Sequence, residues 1–501
     1  MPTPITTQLR IVTAASLFDG HDAAINIMRR IMQSKGAEII HLGHNRSAIE
    51  IVETAIEEDA HAIAITSYQG GHVEFFKYIK DLLDANNSGH IQIFGGGGGT
   101  ILPTEIDELH NYGIAKIYSP DDGRTMGLEG MIQDVLDRTK AQNAKYEIRS
   151  SKFEVRNTNT ENHFILNEAK DIQTIARAIT LAENGEDYTH LLTKLKENGA
   201  AQILSTTHPN PSLGGGGALG GGGATLGITG TGGAGKSSVT DELIRRFLNT
   251  FTHKTIAVIS VDPSKKKTGG ALLGDRIRMN SINNPRCYMR SLATRESEVT
   301  LSAYVQDAIT ICKAAAFDLI ILESAGVGQS DASITEFVDV SLYLMTPEYG
   351  AASQLEKINM LDYADVIAIN KFDKAGALDA LMEVRKQYKR NHNLWDAKDE
   401  DLPIFGTMAS KFGDSGVDDL FNRIIQLLQT KSVIDLSDYK ALPAEASEGT
   451  STAAIIPPAR VRYLSEISET IRTYDTWVND QAKLATKLYQ LDGVIQHFKT
   501  T

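Results

Sequence analysis

Two short loops carry side chains whose types and spacing could do chemistry. In the first, Asp19-Gly20-His21-Asp22, an aspartate stands two residues before a histidine. A carboxylate so placed can accept a hydrogen bond from one imidazole nitrogen. That fixes the tautomer and leaves the other nitrogen as a basic metal ligand. A lone loop histidine is more often a plain surface residue, so this loop needs support from its surroundings. The second loop, Gly230-Thr231-Gly232-Gly233-Ala234-Gly235-Lys236-Ser237, fits G-x-x-x-x-G-K-S between an apolar run and a helical stretch. Glycines there let backbone N–H groups close on phosphate oxygens, and the helix N-terminus adds partial positive charge. Lys236 reaches the terminal phosphates, and Ser237 offers a hydroxyl to Mg²⁺.

Further elements say which nucleotide. Asn370-Lys371-Phe372-Asp373 follows the apolar run Val366–Ile369. It resembles the N-K-x-D element of GTPases, whose aspartate accepts two hydrogen bonds from guanine that adenine cannot supply, so the resemblance implies GTP over ATP. Asp262 and Glu323 each end an apolar run and are candidate Mg²⁺ carboxylates, directly or through water. Gly326 can present its N–H to the γ-phosphate. Asp275 either adds a contact behind these or is simply a capping or ion-paired aspartate.

The loops must be positioned by strands. Residues 9–138 alternate apolar runs (Ile11–Leu17, Glu38–Leu42, Ala62–Ser67, Ile91–Phe94, Ile114–Tyr118) with helical patterns such as Ala23–Ser34 and His72–Ala85. Five strand–helix repeats predict a parallel, doubly wound α/β sheet of flavodoxin-like type. Ligands bind such sheets beyond the carboxyl ends of the strands. Asp19–Asp22, Thr66–Tyr68 and Gly95–Gly99 all fall on that rim. Residues 140–165 read as a polar linker, Asn167–Ala201 as helices and Gly214–Gly223 as a flexible glycine-dense segment. A second α/β pattern runs from Leu226 to about Leu428, with strands expected at Leu226–Thr229, Thr255–Val261, Leu319–Leu322, Val340–Met345 and Val366–Ile369. The tail carries Val461, Leu464, Ile467 and Ile471 at helical spacing. The expected division is 1–140, 141–212, 213–432 and 433–501.

At 501 residues the chain exceeds one ordinary core. A net charge of −13 argues against a nucleic-acid surface, which needs clustered cations. Cys287 and Cys312 cannot build a disulfide framework and predict buried thiols in a reducing compartment. No apolar run approaches the ~18 residues of a membrane span, and MPTPITTQLR lacks a signal pattern, so a cytoplasmic protein is expected.

Several long motifs in order now suggest a family. VDPSKKKTGGALLGDRIRM, ESAGVGQS and NKFD resemble the MeaB/ArgK-like metallochaperone GTPases over roughly residues 168–432. The resemblance implies a Mg²⁺-dependent GTPase attending cobalamin-dependent mutases. Its implied GTP contacts are Gly230, Gly232, Gly233, Ala234, Gly235, Lys236, Ser237, Ser238, Gly326, Asn370, Lys371, Asp373 and Ser410. Its implied Mg²⁺ residues are Ser237, Asp262, Asp275 and Glu323. No group that activates water is assigned.

The first loop resembles the base-off cobalamin motif D-x-H-x-x-G…S-x-L…G-G, read here as Asp19-Gly20-His21-Asp22-Ala23-Ala24, Thr66-Ser67-Tyr68 and Gly95-Gly96. Ala24, Thr66 and Tyr68 depart from the pattern, tyrosine most. The motif spacing agrees. The resemblance makes His21 the lower cobalt ligand and puts the displaced benzimidazole tail near Thr66 and Gly95. A cobalamin domain followed by such a GTPase is the N-terminal order of fused isobutyryl-CoA mutases, with adenosylcobalamin, GTP and Mg²⁺ as implied cofactors. The stretch after Ser432 is far short of the ~250 residues of a TIM barrel, so the chain resembles the front half of a fused mutase, a fragment or a split subunit, and an acyl-CoA mutase barrel domain or subunit and a homo-oligomer are the expected partners. Three functions follow: a GTPase gating cobalamin loading or protection, the cobalamin-carrying subunit of a split mutase, or a non-catalytic cobalamin carrier or sensor.

Overall fold

A computed structural model describes residues 8–150, 171–206, 223–265, 267–295, 304–326, 332–431, 439–442 and 463–500. In the first half, strands β1 (Arg10–Ser16), β2 (Glu38–Arg46), β3 (Ala62–Thr66), β4 (Gln92–Gly96) and β5 (Lys116–Tyr118) alternate with helices. These are α1 (Ala23–Ser34), α2 (Ala48–Glu57), α3 (His72–Ala85), α4 (Pro103–Tyr112) and α5 (Pro120–Ser150). β1 and β3 are buried at every residue, as parallel strands covered on both faces require. α2 starts at a capping box: Glu50 N–H donates to Ser47 Oγ at 3.3 Å, and Ser47 N–H to the Glu50 carboxylate at 2.9 Å.

The second half holds α6 (Ile172–Glu183), α7 (Thr189–Thr206), β6 (Ala224–Gly230), α8 (Lys236–Thr250), β7 (Ile256–Asp262), β8 (Ala271–Leu273), β9 (Cys287–Ala293), α9 (Val305–Ala314), β10 (Leu319–Glu323) and β11 (Val340–Met345). Two single-turn helices, α10 (Ala352–Leu355) and α11 (Met360–Tyr363), precede β12 (Val366–Asn370), α12 (Ala377–Asn391), β13 (Ile404–Thr407) and α13 (Ser415–Lys431). Its seven-stranded sheet has the order β13-β12-β11-β6-β10-β7-β9, with every pairing parallel.

The first sheet is ordered β5-β4-β3-β1-β2-β8. Its sixth strand therefore comes from the second half of the chain. β8 lies parallel to β2 with Glu38, Ile39 and Ile40 opposite Ala271, Leu272 and Leu273. The two halves also share apolar packing, in a cluster running from Val12 and Ile51 through Ile175 and Ile179 to Tyr288 and Phe317. Residues Met1–Ala444 accordingly form one compact unit. Within the other, Glu445–Thr501, the described element is the long helix α14 (Tyr463–Thr500).

A buried ion network joins the halves. Arg10 of β1 pairs with Glu38 at 2.9 Å, Glu58 at 2.6 Å and Glu183 at 3.4 Å. From the second half, Arg290 pairs with Glu183 at 2.7 Å, Arg295 with Glu38 at 2.8 Å and Arg276 with Glu57 and Glu58. Burial works against these charges, but Arg295 and Arg10 hold the Glu38 carboxyl below the usual range. Opposite charges so enclosed must stay matched, because removing one partner strands the other in a low dielectric at a cost of about 3–5 kcal/mol.

The structure departs from expectation in two ways. Residues 140–150 are helical rather than linker, because α5 continues to Ser150 beyond a break at Gly127, where φ is 65°. Residues 151–165 lie outside the described residues, as do Val461 and the glycine-dense segment up to 222. Strands β8, β9 and β13 were not expected. β9 carries Arg290 in its middle, a charge that breaks the apolar run but is matched by Glu183. β8 and β13 are only three and four residues long.

Candidate functional site

The carboxyl ends of β1, β3 and β4 meet at one rim, as the strand pairing demands. Just past β1, Asp19 is fully buried and ties two loops together. Its Oδ1 accepts the His21 backbone N–H at 2.9 Å and lies 2.8 Å from His21 Nδ1. Its Oδ2 accepts the Tyr68 N–H at 2.7 Å. Burial opposes ionisation, yet these hydrogen bonds from Tyr68 and His21 hold the Asp19 carboxyl below its ordinary range. The His21 side chain is 70% exposed. With Nδ1 engaged by Asp19, Nε2 is the ring nitrogen left for a ligand. Tyr68, where the family pattern has leucine, places its ring 5.5 Å from the imidazole and its backbone under Asp19.

Behind this loop lies a cavity of about 220 Å³, lined by Ile25, Met28, Thr66, Tyr68, Phe94, Gly95 to Gly98, Tyr118, Met131 and Val135. Thr66 Oγ1 is buried without a hydrogen-bond partner, which suits a site meant to receive a polar atom. Close approach explains the glycines. A Cβ at Gly95 would lie 2.4 Å from the Phe76 ring, and one at Gly97 only 1.9 Å from the Ser67 carbonyl oxygen. At Gly96 the nearest atom would be 3.6 Å away. Within the expected loop Gly95–Gly99, the positions with no room for a side chain are thus Gly95 and Gly97. Gly20 and Asp22 belong to the same loop; Asp22 precedes α1 and accepts from Asn26 Nδ2 at 3.0 Å.

The second rim is built on β6. Gly235, in the left-handed region at φ 90°, opens α8, and Lys236, Ser237 and Ser238 form its first turn. Lys236 Nζ donates to the Gly230 carbonyl at 3.1 Å and lies beside Gly326, whose Cβ position would be 3.2 Å from it. Burial lowers the Lys236 pKa, against the pull of Glu323, Asp275 and Asp262. Gly232 and Gly233 are exposed. The base-side loop is tied onto this one: Asn370 Nδ2 donates to the Ala234 carbonyl and Lys371 Nζ to that of Gly233, both at 2.8 Å. Asn370 stands opposite Thr407 in the β12–β13 register, so Asp373 and Ser410 follow neighbouring strands and are both exposed on this rim.

The expected Mg²⁺ residues converge beside Lys236. Ser237 Oγ is 2.9 Å from Glu323 Oε1 and 3.1 Å from Asp275 Oδ1. Thr240 donates to Glu323 at 2.8 Å and Ser260 to Asp275 at 2.5 Å, two supports that sequence reading missed. Burial, then the charge of Asp275, pushes Glu323 up to about 7 and Asp262 up to about 8. Carboxylates so disfavoured as anions would be favoured by a cation beside them. Among the described residues no three acidic or ligating side chains cluster closely enough to cage an ion unaided. Residues 327–331, which follow Gly326, lie outside the described residues.

The two rims define a class, a P-loop GTPase fold joined to a parallel sheet with a cavity at its carboxyl rim. Residues 175–440 match the profile of the methylmalonyl-CoA mutase-associated GTPase MeaB, and residues 9–121 that of the B12 binding domain. The chain belongs to the MeaB family of GTPases and carries a B12-binding domain ahead of the GTPase. It is 50% identical over 494 residues to the fused isobutyryl-CoA mutase of Geobacillus kaustophilus, a match covering 98% of this chain and 43% of that protein. Against the fused isobutyryl-CoA mutase of Cupriavidus metallidurans it is 51% identical over 485 residues, covering 97% and 41%. A protein of Pyrococcus abyssi named as a GTPase is 33% identical over 255 residues, 51% of this chain and 71% of that one. The chain therefore spans less than half the length of the fused mutases it matches.

Proposed function

We propose that this chain is a Mg²⁺-dependent GTP hydrolase that gates or protects adenosylcobalamin loading for an acyl-CoA mutase of the isobutyryl-CoA or methylmalonyl-CoA type. The observation that carries the reading is that a phosphate loop tied to the Asn370–Asp373 loop and a histidine held by Asp19 lie in one compact unit. The functional divisions proposed are 1–140 for cobalamin, 213–432 for GTP and 433–501 for docking. Action is expected in the cytoplasm; no described helix is long and apolar enough to cross a membrane.

On this reading, the backbone N–H groups of Gly232 to Ser238 and the Lys236 ammonium bind the phosphates, and Asp373 and Ser410 read guanine. Ser237, Asp262, Asp275 and Glu323 would hold Mg²⁺, which when bound neutralises developing phosphate charge. His21 would hold cobalamin through Nε2, Asp19 fixes the imidazole, and the cavity lined by Thr66 and Gly95 would take the cofactor's nucleotide tail. Cobalamin supplies the radical chemistry of a mutase; this chain's residues bind it and orient it.

A second reading, the cobalamin-carrying subunit of a split mutase, draws on α14. It exposes Ile471, Trp477, Leu488, Leu491 and Phe498, a surface suited to docking a barrel subunit or a second copy.

The base assignment is tested by competition. The unaltered chain should hydrolyse GTP and not ATP. Asp373→Asn should lower that preference about 10- to 100-fold, the value of one bidentate base contact. Equal turnover of ATP and GTP by the unaltered chain would contradict the assignment.

A further inference from the structure

Asp275 and Arg276 are adjacent in sequence and serve different halves of the molecule. Asp275 faces the GTPase metal centre, 3.1 Å from Ser237 Oγ and 2.5 Å from Ser260 Oγ. Arg276 is 5% exposed and faces the cobalamin-binding half, with Nε 2.9 Å from Glu58 and Nη1 2.8 Å from Glu57. Those two glutamates stand at the C-terminal end of α2. Directly before them in the chain, β8 is bonded into the cobalamin-side sheet against β2. Between the two anchors, the Gly274 N–H donates to Asp262.

The segment 271–276 thus leaves the GTPase sheet, joins the neighbouring sheet for three residues and returns with Asp275 on the metal centre. Asp275 itself begins only a single 3₁₀ turn, Asp275–Arg278. Such a turn has little stability of its own. Its placement comes from what holds its flanks: β8 on β2 and the Arg276 pairs with Glu57 and Glu58 on the cobalamin-binding side, and Gly274 on Asp262 and Arg276 on the Met289 carbonyl on the GTPase side.

We infer that Arg276 is a positioning residue for the GTPase metal centre: anchored on Glu57 and Glu58 of the cobalamin-binding half, it fixes Asp275 against Ser237, so the centre is complete only when the halves are docked. The inference rests on the Mg²⁺-dependent GTPase reading above. Arg276 touches neither nucleotide loop; it acts through the backbone of its neighbour. A guanidinium suits this role because its fork reaches two carboxylates and the Met289 carbonyl together.

The test measures metal affinity apart from turnover. Mn²⁺ is titrated by electron paramagnetic resonance into the GDP complex of the full chain, and GDP affinity is measured in EDTA. Arg276→Gln should weaken Mn²⁺ binding about tenfold or more, the usual effect of removing a support behind a metal ligand, with metal-free GDP affinity unchanged. Glu57→Gln, made on the far side of the junction, should weaken Mn²⁺ in the same direction by less, and Arg276→Lys should recover part of the loss. If Arg276→Gln does not fold, Glu57→Gln decides. Mn²⁺ affinity equal to the unaltered chain's in the folded variants would overturn the role of Arg276. Absence of GTP turnover by the unaltered chain would instead count against the hydrolase reading, and the Mn²⁺ comparison on GDP would still stand.

Discussion

Replacing Lys236 with alanine is expected to lower GTP turnover by about two to three orders of magnitude, the scale seen when one preorganised donor to a charged transition state is removed. The expectation follows from the placement of Lys236. Its ammonium lies in the first turn of α8, nine-tenths buried, between the Gly230 carbonyl and Gly326. A charge held there is only partly hydrated, so it acts on phosphate oxygens at low effective dielectric. Alanine keeps the helix and the glycine loop while removing that charge. Steady-state phosphate release, with the melting temperature as a folding control, checks it. Turnover within threefold of the unaltered chain would remove Lys236 from the phosphate site.

The second large effect is on cobalamin. His21→Ala should abolish the absorbance spectrum of the imidazole-ligated cofactor and weaken binding by at least the 10- to 100-fold typical of losing a group behind the ligand. The imidazole is 70% exposed, and exposed substitutions usually change stability by less than about 0.5 kcal/mol. A lost spectrum therefore reports ligation rather than unfolding. An unchanged spectrum would exclude His21 as the axial group and leave the cavity beside Thr66 without its cobalt anchor.

Much of this was legible because parallel strands buried on both faces read as plain apolar runs. β10, β11 and β12 appear almost at their true limits for that reason, and their carboxyl ends carry Glu323 and Asn370. The motif residues at those ends then fell on two rims by topology alone. What escaped depended on contacts distant in sequence. β8 is three residues long and is a strand only because β2 offers it an edge. Arg290 marks β9 as polar until Glu183 of α6 is seen beside it. The tight glycine at 97 is set by the Ser67 carbonyl, from the neighbouring strand's loop, and no local pattern distinguishes it from Gly96. α5 runs on through residues 140–150, whose polar side chains read as linker when the layer beneath them is unknown.

The functional consequence of those distant contacts is that the cobalamin-binding sheet and the GTPase metal centre are not merely neighbours. They share a strand, a charge network and the backbone between Ala271 and Arg276. On the proposed reading, a nucleotide state that moves Asp275 acts on the neighbour of Arg276, which is bonded to the cobalamin-binding half, and the coupling so produced is reciprocal. The most direct measurement is a titration of the chain with adenosylcobalamin in a non-hydrolysable GTP analogue and again in GDP, at fixed Mg²⁺. The account predicts affinities that differ about fivefold or more between the two nucleotides, the usual lower scale of such coupling. Equal affinities would contradict it, leaving two independent binding sites on one chain.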